Sequence, residues 1–224
     1  MKWPRRILAL LVLLVVVGFG IFWVIRRQAQ TPTPLQLDDL TPLSVSLLPD
    51  DTCTAAAREM VEQLPNSPII ARVSASSSPI SRGSALIQRF YVREVYAGEG
   101  LEEHTLIWLT SGQWNILRDR EPPGLQSGYV NLPQNNWDYL VFLAQAEEEP
   151  PTMDGYPIYE LRDDLILAPI LCCDDWNAQV DETRGDTMLY KEARWQEFFT
   201  QTQQGMDVLM EAKHTIMAQF PVEG

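Results

Sequence analysis

Nineteen consecutive residues without a charge, "ILALLVLLVVVGFGIFWVI" from Ile7 to Ile25, set the strongest limit on how this chain folds. At about 1.5 Å of rise per residue, a helix of that length spans about 28 Å, close to the hydrocarbon thickness of a bilayer. A buried core helix would show a polar face, and this run has none. Lys2, Arg5 and Arg6 precede it, Arg26 and Arg27 close it, and Trp3 and Trp23 stand near its ends, where amphipathic rings favour the interface. The expectation is an uncleaved single-span anchor in the cell membrane, with residues 1–6 as a cytoplasmic tail and the remainder extracytoplasmic. A signal peptide cleaved near Gly18-Phe19-Gly20 is the competing reading.

Residues 26–50 read as a spacer, because Thr-Pro-Thr-Pro and further prolines interrupt any regular apolar spacing. Residues 51–224 are then one extracytoplasmic domain, long enough to close its own core. Charge divides along the same line. Five of the 17 basic residues lie within the first 27 positions, while all 30 acidic residues lie beyond them, so the rest of the chain carries 12 − 30 = −18. Such a surface repels phosphate backbones, which excludes nucleic acid as a partner. A protein or an envelope component is the compatible partner class, and no cofactor is indicated.

Within the outer domain, "DTCTAAAREMVEQL" puts Ala57, Met60, Val61 and Leu64 on one helical face, with Cys53 in the first turn. Strands are expected at residues 68–76, 84–98, 104–112 and 138–145, the last apolar enough for burial on both faces. Ile87 and Val95 break the alternation of the second strand, which implies a bulge. A hairpin folded at Arg162-Asp163-Asp164 is expected over 158–170. Met206, Leu209, Met210, Lys213, Ile216, Met217 and Phe220 share one face of a terminal helix, spaced to pack on the sheet. Residues 113–137 show no period. Their aromatics Trp114, Tyr129 and Trp137 make them the candidate recognition surface, or else a cover over an open sheet end. The expected fold class is therefore α+β: a transmembrane helix, then a small antiparallel β-barrel or sheet with a short N-terminal helix and C-terminal helices.

The order "PIIARV", "YVREVYAGEGLEEHTLIWL", "DYLVFL" resembles the OB-fold-like modules of the netrin and tissue-inhibitor-of-metalloproteinase type found in small bacterial extracytoplasmic proteins. The likeness covers roughly residues 67–171 and implies a small OB-like barrel. It transfers no binding residue, because the free N-terminal cysteine that chelates zinc in animal inhibitors has no counterpart here.

Signatures of hydrolases, zinc proteases and phosphate loops are lacking. One catalytic alternative remains, since "CCDDWN" followed by Arg184 is similar to the cysteine segment of sortases. That resemblance implies Cys173 as nucleophile, His104 as acid or base and Arg184 at the oxyanion. The sequence departs from the sortase pattern Thr-Leu-x-Thr-Cys with "PILCC". Metal is a weaker alternative: Asp175, Asn177, Gln179 and Asp181 alternate like calcium ligands, but Val180 and Asp186 occupy the places of the required glycine and glutamate. The third reading is structural. In an oxidising compartment Cys53 can pair with Cys172 or Cys173 and tie the first helix to the last strand, or the adjacent pair can bridge and leave Cys53 free. Together these features point to a non-catalytic binding or interaction module, with a sortase-like transpeptidase and an accessory subunit of an envelope assembly as the alternatives.

Overall fold

The computed structural model describes residues 33–221, apart from residues 175, 177 and 184. Its strands are, in chain order, β1 (Thr33–Pro34), β2 (Ser44–Ser46), β3 (Ile69–Ala75), β4 (Ile80–Arg82), β5 (Ala85–Ala97), β6 (Leu106–Leu117), β7 (Gly124–Ser127), β8 (Asp138–Leu143), β9 (Thr152–Met153), β10 (Tyr156–Glu160), β11 (Ile170–Cys172) and β12 (Thr187–Leu189). The helices are α1 (Leu37–Leu40), α2 (Asp50–Gln63), α3 (Tyr190–Ala193) and α4 (Gln203–Met217).

Among the described residues the strands join in one curled mixed sheet, whose main path runs β11-β8-β3-β5-β6-β7-β2-β12. β8 lies at its heart because all of Tyr139 to Leu143 is apolar and buried, as a strand covered on both faces requires. β5 and β6 are the long elements, and each shares one edge between two shorter neighbours. β5 pairs β4 at its start and β3 from Phe90 onward, while β6 pairs β10 through Trp108–Thr110 and β7 through Trp114–Leu117. The ladder from β3 to β5 skips Arg93 and Tyr96, so the expected irregularity falls there as two bulges that bend the sheet. Past β10, Leu161 bridges to Leu143 in β8, which brings β6, β10 and β8 side by side as the sheet curls.

Several expectations are corrected. The fold is not a transmembrane helix followed by a small antiparallel OB-like barrel; it is a large mixed sheet with two parallel pairings, β10 with β6 and β2 with β7, and few helices. The expected membrane-spanning signal anchor gains no support from it, since no described helix is long and apolar enough to cross a membrane. The run from Ile7 to Ile25 lies outside the described residues. Residues 33–50 are not a spacer. They supply β1, α1 and β2, and bury Leu35, Leu40, Leu43, Val45, Leu47 and Leu48. The hairpin over 158–170 does not form, because β10 pairs with β6 whereas β11 pairs with β8.

Helices α2 and α4 pack against each other at a point fixed by a glycine. A Cβ on Gly205 would stand 2.8 Å from Cys53 Sγ and 3.0 Å from Asp50 Oδ1, so the close approach needs a residue without a side chain. Thr202 caps α4 by accepting from the Gly205 amide at 3.1 Å and donates its own hydroxyl to Asp50 at the head of α2. The stripe expected on α4 is buried at Met206, Leu209, Met210 and Ile216. Lys213 is buried with them and ends in a 2.5 Å ion pair with Glu197.

Candidate functional site

"LCCDDWN" concentrates the residue types that do chemistry, and the structure commits them to packing. Leu171 and Cys172 form the end of β11, with Cys172 paired to Tyr139. The Cys172 amide donates to Glu197 Oε1 at 2.8 Å, and the other oxygen of that carboxylate holds Lys213, whose Nζ also donates to the Asp174 carbonyl at 3.0 Å. Burial raises the Glu197 carboxyl above its ordinary range, and the Lys213 charge opposes that shift. Next along the chain, the amide of half-buried Cys173 donates to the Asp138 carbonyl. Asp138 accepts from Arg72 at 2.6 Å and from the Ser74 hydroxyl, to which Arg93 donates at 2.7 Å. Trp176 closes the segment by packing on Trp137, ring centres 5.1 Å apart.

All three cysteines are free. Cys53 lies between α2 and α4, Cys172 beside Glu197 and Cys173 beside Arg72 and Asp138, three separate surroundings that the structure does not join. Burial pushes the Cys53 thiol up to about 11. It pushes Cys172 and Cys173 to about 12, with the Arg72 charge pulling Cys173 down and Asp138 pushing it up. A nucleophilic thiol needs the opposite, an electropositive and open setting that stabilises thiolate. His104 is on the exposed turn before β6, at φ 61°, and stacks on Tyr91 at 6.3 Å. Arg184 lies outside the described residues, as do Asp175 and Asn177 of the calcium alternative, whose Asp181 is exposed. Among the described residues no group of three or more His, Cys, Asp or Glu side chains is placed to hold a metal ion.

The three aromatics of residues 113–137 separate. Trp114 is core, 1 % exposed, because β6 continues through Gly112 and carries it inward. Trp137 is half-buried against Trp176. Tyr129 lines a cavity of about 340 Å³. Such a volume falls in the range of small-ligand sites.

That cavity is built where two parallel strands stop pairing. Ser44 lies beside Gly124 and Val45 beside Leu125, and there the β2–β7 ladder ends. On its other edge β2 pairs β12 throughout, Ser46 with Thr187, while Gln126 and Ser127 stay on β6. Strand alternation buries Val45 and puts the Ser44 and Ser46 hydroxyls on the other face, toward the cavity. Gln113 forms part of the wall. Its Nε2 donates to the Leu165 carbonyl at 2.8 Å, whereas its buried Oε1 has no partner. Opposite this oxygen a Cβ on Gly128 would stand only 2.0 Å away, and Gly128 has φ +66°. Tyr129 follows at φ 57°, a left-handed conformation unfavourable for an aromatic residue. Neighbouring segments hold it there: the Gly128 carbonyl accepts from Ala168 at 3.0 Å and the Tyr129 carbonyl from Phe199 at 2.8 Å.

Sequence reasoning pointed at residues 113–137 through their aromatic content. It missed Ser44, Ser46 and Thr187, which come from a segment read as spacer and from a polar stretch without period. The signal that would have found part of the wall is "SGY", a glycine between a strand end and an aromatic. No known protein family matches the chain, and no curated protein matches it.

Proposed function

We propose that this chain is a non-catalytic binding module, and that its ligand, a polar segment of an envelope component or protein, enters the cavity bounded by Ser46, Gln126, Tyr129 and Thr187. One observation carries the reading: the strained Gly128-Tyr129 backbone, pinned by Ala168 and Phe199, presents an aromatic ring to a wall of hydroxyls and amides. Strain of that kind persists only where surrounding structure enforces it, and it concentrates at ligand clamps. A few polar groups around an aromatic are also the usual means of fixing a ligand's orientation. The thiol corner supports the non-catalytic half, since its cysteines lie far above the range of a nucleophile at neutral pH.

The test is an NMR titration of the isotopically labelled chain with a panel of neutral and charged sugars, cell-wall oligosaccharides and dipeptides. Amide shifts that saturate together at Gln126, Ser127, Tyr129 and Thr187 are expected for at least one ligand, and are expected to vanish in Tyr129→Ala. Shifts that gather elsewhere, or an Ala variant that binds unchanged, would remove the cavity from the reading.

A further inference from the structure

We infer that the cavity takes an anionic polyol, a sugar or sugar chain bearing a carboxylate; this rests on the cavity being the binding site. The chain as a whole carries 30 acidic residues against 17 basic, yet among the described residues no carboxylate lines the cavity. Among the described residues the single charged group in its wall is Arg120. That guanidinium is exposed and, among the described residues, has no ion-pair partner, while its neighbours Asp119 and Glu121 stand outside the wall. An arginine without an ion-pair partner, at a lining with no described carboxylate, gives this wall a positive field of its own in an acidic protein. Within that field an anion gains most, because a planar guanidinium meets a carboxylate through two parallel hydrogen bonds.

The remainder of the wall defines what the carboxylate is attached to. Ser46, Ser127 and Thr187 offer hydroxyls that both donate and accept, while Ser44 donates to the Pro123 carbonyl and retains an accepting lone pair. Gln113 Oε1 is a buried acceptor packed against Gly128, its amide held in place through Leu165, so this side chain shapes the wall and the hydroxyls are the groups that meet a ligand. Tyr129 adds the flat face on which a sugar ring packs through its C–H groups. A bare inorganic anion would use Arg120 and leave these groups idle. A neutral sugar would use them and leave Arg120 idle.

The discriminating experiment titrates the full chain with D-glucuronate, D-glucose and inorganic sulfate at fixed ionic strength, read by amide shifts at Ser127, Tyr129 and Thr187. Glucuronate is expected to bind at least tenfold more tightly than either control. Arg120→Ala is expected to bring glucuronate down to the glucose level with an unchanged melting temperature, and Arg120→Lys to fall between. Equal binding of glucose and glucuronate would overturn the anion assignment and leave the cavity reading intact. Equal binding of sulfate and glucuronate would overturn the sugar half. If none of the three shifts these amides while another ligand of the wider panel does, the ligand class is wrong; if no ligand does, the cavity itself is wrong.

Discussion

The thiol corner and the polar cavity carry opposite kinds of residue and make opposite use of them. At the corner, two cysteines, a lysine and two carboxylates satisfy one another: Glu197 serves both Lys213 and the Cys172 amide, and Asp138 serves Arg72 and Ser74. In the cavity, Ser46, Gln126, Thr187 and Arg120 have no side-chain hydrogen bond among the described residues. Reactive residue types therefore mark a structural joint, and unreactive ones mark the place open to a ligand. What separates the two is whether each polar group already has a partner.

The sharpest way to break this comparison is Lys213→Ala, which leaves the Glu197 carboxylate buried without its counter-ion. A loss of about 3–5 kcal/mol in urea unfolding is expected, with much of it regained in Lys213→Met combined with Glu197→Gln. A loss under about 1 kcal/mol would mean that water replaces the lysine and that the joint is not closed.

Gly128→Ala comes next. Its methyl has no room against Gln113 and Ala168, and φ is positive, so a cost of about 1–3 kcal/mol is expected in the same measurement. A variant as stable as the parent would show that the cavity wall yields, and would weaken the case for an enforced Tyr129.

Smaller still is the effect of pH on Asp138. Burial raises this carboxyl, but the hydrogen bonds from Ser74 and Arg72 and the Arg72 charge outweigh it and hold the group below its ordinary value. Its carboxylate thus favours the folded state. That contribution is fully present above the unfolded value of about 4 and is lost as pH falls through the lower folded value. Asp138→Asn is expected to cost about 1–2 kcal/mol at pH 7 and clearly less at pH 3, read from paired urea curves. A gap that stays constant with pH would assign the loss to packing instead.

The smallest effect is expected at Cys173. Cys173→Ser should change stability by about 0.5 kcal/mol or less, and iodoacetamide at pH 7.5 should label none of the three thiols until urea unfolds the chain. Rapid labelling of Cys173 in the folded protein would reopen the nucleophile reading.

The parts of the fold legible in the sequence are those with many residues in one environment. β8 showed as an unbroken apolar run, and α2 and α4 as periodic stripes. Even Lys213, which stands inside the α4 stripe, is buried where that spacing puts it. β2 and β12 were illegible because three residues are too few to display a period. The prolines that suggested a spacer are compatible with their places: Pro34 is in β1, which pairs only with β4, and Pro49 immediately precedes α2. The hairpin failed because β10 pairs with β6 and Leu161 and Ile170 each pair with β8 rather than with each other, a choice that turn residues do not encode. The cavity was half visible. Tyr129 lay within a stretch already singled out, but its wall draws hydroxyls from distant segments, and their meeting is a property of topology alone.

The position of β2, between β7 and β12, has a consequence for how the chain is made. Synthesis delivers β2 early, supplies β7 later, and provides β12 only when most of the chain has been translated. In the interval one edge of β2 stands open, the kind of unpaired strand that recruits a neighbouring chain. Ribosomes stalled before residue 187 would therefore release fragments that stick to one another, and completion of the last strand is what closes that edge.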